Sequence, residues 1–185
     1  MRKATIVVAL ALLCVAAGGK GIEWDDPRHC WRVEGDTLSS SGGKIFAKVG
    51  PIKDMMASGK LRVDQFQEGG TTRGCILLRY REQGDVIEYY LVSFRRTSIT
   101  LQRITVAPEG NKWPLLASEK LPTPVGKWIH FKVAVTGNRI QVALRCGRTI
   151  SMDALDGNPI PEGRFGFGAE RVAMTVKCTK LVVRE

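Results

Sequence analysis

The sequence predicts an all-β domain, folded as an antiparallel sandwich or barrel. Two observations concern the whole chain: it contains about ten short extended segments separated by turn-forming residues, and it has no amphipathic helix longer than two turns. A third is local, because residues 126–150 alternate between apolar and polar positions on both sides of a turn at residues 136–138. The apolar positions of that hairpin are Ile129, Phe131, Val133, Val135, Ile140, Val142 and Leu144. Such alternation places one set of side chains on a buried sheet face.

The N-terminal segment, residues 1–19, has the pattern of a secretory signal peptide. Arg2 and Lys3 precede an apolar run over residues 4–13, and small residues follow through Gly19. The apolar run is shorter than the roughly 20 residues that a membrane span requires. We therefore expect a signal peptide over residues 1–19, a single secreted or extracytoplasmic domain over residues 20–185, and no membrane span in the mature chain.

The first half of the domain contains strands separated by glycine-rich turns. A strand beginning at Trp31 turns at residues 34–36, and residues 45–49 resume an extended segment after a loop over residues 39–43. Residues 54–60 allow a short helical turn before alternation begins at Leu61. Residues 75–82 and 86–94 flank Gln83-Gly84-Asp85 and predict a second hairpin.

The second half contains two long connections between predicted strands. Residues 108–124, with four prolines and Trp113, form the longer one, between a strand at residues 98–106 and the hairpin at residues 126–150. Residues 153–161 form the shorter one. A glycine-spaced strand at residues 163–169 and a last strand at residues 171–185 complete the chain.

The charge favours an acidic partner but identifies no specific one. The formal charge is +10, of which Arg2 and Lys3 carry two, leaving +8 for the mature chain. Such a balance suits polyanions such as acidic glycans, nucleic acids or membrane surfaces. The basic residues are scattered and form no block, so we expect no specific nucleic-acid partner, and a solvated basic surface also accounts for the charge.

Four cysteines remain after residue 19, namely Cys30, Cys75, Cys146 and Cys178. An even number in an exported chain predicts two disulfides, with three connectivities open, although buried thiols would also fit. Their spacing matches no metal motif, and His29 and His130 are the only histidines. We therefore expect no metal site and no cofactor.

The order of these signals resembles a known superfamily. Gly126, Trp128, Gly137-Asn138 and Gly147 occupy places typical of concanavalin A-like and laminin-G-like jelly rolls, and residues 160–183 are similar to their closing strand pair. The resemblance is nearest to domains of the 3-keto-disaccharide hydrolase type. It implies a concanavalin A-like jelly-roll β-sandwich of two antiparallel sheets, with the last strand beside the first. In that arrangement Cys30 and Cys178 would form one disulfide, leaving Cys75 and Cys146 as a second pair or as buried thiols.

Catalytic carboxylates are hard to find in the sequence. Retaining glycosidases need two carboxylates about 5 Å apart, and Glu82, Asp85 and Glu88 straddle a turn instead of sharing one strand face. Glu88 matches a glutamate on the concave strand of the resembling hydrolases, so it is the acid–base candidate if the protein is an enzyme. No Gly-x-Ser-x-Gly elbow is present. Asp153, Asp156 and Asn158 offer oxygen ligands for calcium, but such residues also favour turns.

A sugar-binding surface is the remaining interpretation. Such a surface needs aromatic platforms and a few fixed polar groups, and the candidates near the concave sheet are Arg79, Arg81, Glu88, Tyr90 and, on the long connection, Trp113. Strand alternation predicts that Arg79 and Arg81 share one side, as do Glu88 and Tyr90. The sequence thus favours a secreted, non-catalytic carbohydrate-binding or adhesion module whose partner is a glycan or polysaccharide, with an acidic one favoured by the charge. The alternatives are a glycoside-processing hydrolase with Glu88 as acid–base residue and a structural cell-surface protein.

Overall fold

The computed structural model describes residues 22–184 and contains two antiparallel sheets of seven strands each. The predicted signal segment lies outside the described residues. The strands, in chain order, are β1 Trp24–Asp25, β2 Trp31–Glu34, β3 Thr37–Ser40, β4 Gly43–Ala47, β5 Asp54–Phe66, β6 Arg73–Gln83, β7 Val86–Phe94, β8 Ile99–Val106, β9 Leu115–Glu119, β10 Ile129–Thr136, β11 Arg139–Arg145, β12 Thr149–Leu155, β13 Arg164–Glu170 and β14 Val172–Arg184. Within residues 22–184 no helix is long and apolar enough to cross a membrane.

The two sheets pack face to face, so the predicted all-β sandwich is confirmed. Sheet A has the strand order β1-β4-β13-β6-β7-β8-β9, and sheet B has the order β12-β11-β10-β5-β14-β3-β2. The largest apolar cluster takes buried side chains from strands of both sheets and forms the core between them. The chain crosses repeatedly between the sheets, as jelly rolls do, and the inner faces of both sheets pack together to form the core.

The hairpin of β10 and β11 has the register that its alternation predicts. Phe131 pairs with Leu144 and Val133 pairs with Val142, and all four side chains are buried. The intervening positions are mostly exposed. A turn centred on Gly137, whose φ of 56° suits glycine, joins the two strands.

The helical turn expected in residues 54–60 is wrong, because β5 is one strand of thirteen residues. This strand lies in the middle of sheet B and pairs with β10 on one side and β14 on the other. At Gly59 a Cβ atom would lie 2.2 Å from the carbonyl oxygen of Lys177, so only glycine allows this close approach. Pairing on both sides therefore overrides the local preference of the segment.

The predicted disulfides are absent from the part of the chain that the structure describes. Cys30, Cys75, Cys146 and Cys178 are all free thiols. The last strand, β14, pairs with β3 and not with β2, which Cys30 precedes. Two strand spacings of about 4.8 Å then separate the backbones that carry Cys30 and Cys178, which exceeds the roughly 7 Å limit for a bridge.

The second expected pair is separated by a sheet. Cys75 belongs to a small apolar cluster on the face of sheet A that points away from the core. Cys146 packs against the core between the sheets. A bridge between these two residues would have to pass through sheet A.

Candidate functional site

Strand β6 is buried on both of its faces, which is unusual for a strand of a two-layer sandwich. Eight consecutive residues, from Arg73 to Tyr80, are buried. One set of side chains enters the core, and the other set enters the small apolar cluster on the outer face of sheet A. The members of that outer cluster are Phe46, Cys75, Leu77, Tyr80, Tyr89, Leu91 and Ile104.

A pocket of about 310 Å³ lies over this cluster, and we call it the outer groove. Phe46, Tyr80, Tyr89 and Gly168 contribute to its floor, and Lys44, Arg28, Arg73, Glu82 and Glu170 line it with charge. The volume is at the lower end of the range of ligand pockets, about 300–1,000 Å³, and corresponds to a small ligand or one part of a larger one.

The aromatic floor is continuous across three strands. The ring centroid of Tyr80 lies 4.7 Å from that of Phe46 and 5.3 Å from that of Tyr89, with tilted planes. The ammonium of Lys44 stands 4.7 Å from the Tyr80 centroid, and the guanidinium of Arg164 stands 4.4 Å from the Phe46 centroid. Cations over ring faces are attracted by the ring quadrupole, more strongly where water is excluded.

A β-bulge places Tyr80 on this floor. Leu78 pairs with Tyr90 and Arg81 pairs with Glu88, so two residues of β6 oppose a single residue of β7. The extra residue, Arg79, has a φ of 49°, in the left-handed region that bulges tolerate. The bulge sends the Arg79 side chain inward and leaves the Tyr80 ring facing outward.

One end of the outer groove is formed by Arg73 and Glu170. The Nε atom of Arg73 donates to Oε2 of Glu170 at 2.6 Å. The Arg73 residue is only 8% exposed, and its Nη1 atom is buried without a hydrogen-bond partner among residues 22–184. The ring of Trp113, from the connection between β8 and β9, lies 5.8 Å from the Arg73 guanidinium carbon.

The other polar groups of the outer groove have shifted protonation equilibria. Burial, followed by hydrogen bonding to Glu82, raises the pKa of the Tyr80 hydroxyl, which donates to that carboxylate. Burial lowers the pKa of Lys44 below its ordinary value; Glu82 opposes the effect, and Arg28 and Arg73 add to it. The ammonium is therefore desolvated and stands near like charges.

Arg79 does not face the outer groove. Its guanidinium is 2% exposed and donates to the carbonyl oxygens of Lys53 at 2.6 Å, Gly137 at 2.8 Å and Ile160 at 2.6 Å, with the Asp54 carboxylate at 3.2 Å. These contacts join β6 to three separate connections of the fold. The surroundings of Arg79 indicate a bracing role.

Tyr90 is also interior and ties sheet A to the 156–160 connection. Its hydroxyl donates to Oδ2 of Asp156 at 2.8 Å and accepts from the backbone N–H of Ile160 at 3.0 Å. Arg103, which is opposite Tyr90 on β8, donates to the same Asp156 carboxylate. Asp156 is thus engaged by side chains of the sheet, and Asp153 pairs with Arg139.

Glu88 lies between two arginines at the edge of this network. Arg81 donates to Oε2 and Arg103 donates to Oε1 at 2.8 Å. Burial opposes ionisation of Glu88, but the hydrogen bonds from Arg81 and Arg103 outweigh it and hold the pKa of the carboxyl below its ordinary value. A general acid needs the opposite shift, towards a raised pKa.

The structure thus brings four of the five sequence-predicted site residues together, but not on the outer groove. Arg79, Arg81, Glu88 and Tyr90 surround one buried polar network, whereas Trp113 lies over Arg73. The groove residues that sequence reasoning missed are Lys44, Phe46, Arg73, Tyr80, Tyr89 and Glu170. The available signal was the uninterrupted apolar run of residues 74–78, which implies burial on both faces of β6.

The outer face of sheet B is basic. Arg145, His130, Lys60 and Lys177 occupy directly opposed positions on four adjacent strands. The ring of Trp128 lies beneath this row, 4.8 Å from the Lys60 ammonium. Lys60 and Lys177 repel each other across β5 and β14, whereas the Trp128 ring attracts Lys60 and the Asp36 carboxylate pairs with Lys177 at 3.4 Å.

Comparisons with solved structures find the same sandwich in other proteins. A carbohydrate-binding module, CBM66 from Bacillus subtilis, superposes with a TM-score of 0.64 and 17% identity over 86% of this chain and 94% of its own. The exoplasmic/lumenal domain of VIP36, in a form bound to Ca²⁺ and Man3GlcNAc, superposes with a TM-score of 0.58 and 12% identity. The match covers 88% of this chain and 83% of the VIP36 domain. A Bacillus subtilis protein with a galectin-like fold superposes with a TM-score of 0.57 and 10% identity, over 88% of this chain and 90% of its own.

Sequence comparisons add nothing to this result, since no family profile and no curated protein matches the chain. At these identities a structural likeness shows the fold and leaves function to the site. Two seven-stranded antiparallel sheets with these neighbours give the chain the concanavalin A-like jelly-roll fold that its glycine and tryptophan positions predict.

Proposed function

We propose that this protein is a secreted carbohydrate-binding module whose ligand lies in the outer groove of sheet A. The observation that carries the proposal is the three-ring floor of Phe46, Tyr80 and Tyr89 beneath a pocket lined by charged groups. Sugar rings have apolar faces that pack on aromatic rings and hydroxyls that need fixed polar partners, and the groove offers both.

The structural neighbours support this proposal. One is a carbohydrate-binding module, and another, the exoplasmic/lumenal domain of VIP36, was solved with Ca²⁺ and Man3GlcNAc bound. Because the fold alone would also accommodate other functions, the aromatic floor supports carbohydrate binding more strongly than the structural neighbours do. The signal-peptide pattern of residues 1–19 supports an extracytoplasmic location, where polysaccharides are accessible.

A non-catalytic role fits the carboxylates better than hydrolysis. Glu88, the acid–base candidate, is ion-paired to Arg81 and Arg103 and keeps a lowered pKa. The two carboxylates of the outer groove are also engaged, Glu82 by the Tyr80 hydroxyl and Glu170 by Arg73. Hydrolysis of a glycan by the purified protein would contradict the non-catalytic role.

A glycan array followed by titration of any glycan bound would test the proposal. We expect Tyr89→Ala to weaken binding at least tenfold, about 1.4 kcal/mol, because it removes one ring of the floor. Tyr89→Phe, which keeps the ring, should retain most of the affinity. Trp128→Ala is the matched control, since that aromatic residue also lies beneath cations but on sheet B.

Three outcomes would count against the site or the function. If wild type and Tyr89→Ala bind the glycan with equal affinity, the outer groove is not the binding site. Loss of binding only in Trp128→Ala would move the site to sheet B. An absence of binding to every glycan would favour the structural alternative. Circular dichroism and thermal unfolding of each variant separate lost binding from lost folding.

A further inference from the structure

We propose that the outer groove selects an acidic sugar, whose carboxylate is held between Arg73 and Lys44. This inference rests on the proposed function and names the class of glycan. The overall charge of the chain does not carry it. The inference depends instead on Arg73 and Lys44, two cationic groups of one pocket that each keep N–H donors without an acceptor among the described residues.

The first cation is Arg73. Its Nε atom is used by Glu170 at 2.6 Å, whereas Nη1 is buried and has no acceptor among the described residues. Buried donors of charged groups are almost always paired, because an unpaired one has lost its hydration without compensation. A ligand carboxylate reaching this end of the groove would supply the missing acceptor, with the planar donor geometry that arginine offers.

The second cation is Lys44. Its ammonium lies over the rings of Tyr80 and Tyr89, at 4.7 and 5.4 Å from their centroids, and within residues 22–184 it makes no ion pair or hydrogen bond. Ring faces attract the charge but leave its three N–H groups free to donate. Arg28 and Arg73 are the other cations that act on this ammonium, and Glu82 is the strongest anionic influence on it.

The two acids of the groove, Glu82 and Glu170, are already engaged by groove residues. Glu170 accepts a hydrogen bond from Nε of Arg73, and the Nη1 atom of the same guanidinium has no acceptor among the described residues. Glu82 accepts the hydroxyl hydrogen of Tyr80, and that hydrogen bond lies at the opposite end of the groove from Arg73. Three cations and two engaged carboxylates line one small pocket, so the groups left free to bind a ligand are positive.

Lys44 and Arg73 lie on two strands, β4 and β6, that flank β13. Lys44 pairs with Gly168, and Glu170, two residues further along β13, pairs with Arg73. Two strand spacings and two residues along the strand separate their backbones by roughly 12 Å, and both long side chains reach from there into the same pocket. Gly168 keeps the floor between them low, because a Cβ there would contact Cys75 at 3.6 Å and Lys44 at 3.8 Å.

Trp113 lies over the guanidinium of Arg73. Its ring lies 5.8 Å from the guanidinium carbon, and the residue is 47% exposed on the connection before β9. Because Nη1 has almost no contact with solvent, a covering side chain must move when the ligand carboxylate binds. An exposed ring on a connection moves at lower cost than the paired strands around it.

The test compares an oligogalacturonate with its methyl ester, which has the same rings and no charge, and adds dextran sulfate against dextran. We expect the free acid to bind wild type at least tenfold more tightly than the ester. Lys44→Met and Arg73→Met should each reduce that preference at least fivefold, and circular dichroism with thermal unfolding shows whether the variants are folded. Lys60→Met, on the basic row of sheet B, is the charge-matched control and should keep the preference.

Every outcome separates this inference from the proposed function. Equal binding of acid and ester, or a preference that survives Lys44→Met and Arg73→Met, overturns the inference and leaves glycan binding intact. If Lys60→Met loses the preference for the free acid over the ester, the ligand carboxylate binds on sheet B and the inference is overturned. Dextran sulfate binding as tightly as the galacturonate would replace carboxylate selection by general anion binding. Binding of no glycan in either series overturns this inference, and the glycan array then decides whether the proposed function stands.

Discussion

Replacing Arg79 by methionine should destabilise the protein strongly without involving the ligand. The guanidinium is 2% exposed and donates to the carbonyl oxygens of Lys53, Gly137 and Ile160 as well as to the Asp54 carboxylate. Methionine fills much of the same volume but donates nothing. Three connections of the fold would lose the group that joins them to β6.

The magnitude follows from the acceptors that are left without partners. Each of three carbonyls loses a hydrogen bond from a charged donor, at about 1 kcal/mol or somewhat more apiece. Asp54 is about one-third exposed and regains part of its hydration, so its contribution is small. We expect a loss of roughly 3–5 kcal/mol, similar to the removal of one partner from a buried ion pair. Such a loss is a large fraction of the 5–15 kcal/mol typical of a domain.

Urea unfolding monitored by circular dichroism would measure the effect on the free energy of unfolding. Arg139→Met is the control, because Arg139 pairs with Asp153 on the exposed edge of sheet B and should move the midpoint little. Arg79→Lys keeps the charge without the fork of donors and should fall between methionine and wild type. A loss below about 1 kcal/mol together with weakened glycan binding would refute the bracing role and support the ligand contact that the sequence predicts.

Three further predictions follow from the surroundings of single residues. Glu88→Gln should leave glycan affinity within a few-fold of wild type, because Glu88 lies outside the groove; loss of a hydrolytic activity in this variant would contradict us. Burial raises the pKa of Cys75 and Cys178 from 9.0 to about 12, so the folded state favours the neutral thiols. Their contribution to stability is full below pH 9 and is lost as pH rises towards 12; urea unfolding at several alkaline pH values should show a slope that Cys178→Ala reduces, and an unchanged slope would count against it. Lys60→Gln should change the free energy of unfolding by less than about 1 kcal/mol, because it removes the repulsion from Lys177 together with the attraction to the Trp128 ring. Because salt screens the repulsion, the wild type should gain stability relative to this variant as salt is added, and urea unfolding at two salt concentrations would show it.

The sequence predicted the parts of the fold that depend on local alternation. The β10–β11 hairpin is found in the predicted register because its apolar residues recur at every second position and its turn contains Gly137. The start of β5 was not predicted, since its continuity depends on pairing with strands that are distant in sequence. The Cys30–Cys178 bridge is absent because β3 is inserted beside β14, which no local pattern reveals.

The candidate site was displaced by one residue for a physical reason. Perfect alternation from Leu77, on the outer face, would put Arg79 and Arg81 on that outer face and Tyr80 in the core. The bulge between Leu78 and Arg81 breaks this alternation: Arg79 takes a left-handed conformation and turns into the interior, and Tyr80 joins the outer floor. Nothing in residues 78–81 marks a bulge, because its usual sequence signal is glycine and the residue here is arginine. Four hydrogen bonds from the Arg79 guanidinium hold that conformation. The same side chain therefore braces three connections on the core side of sheet A and, by fixing the bulge, orients the aromatic ring that forms the centre of the outer groove.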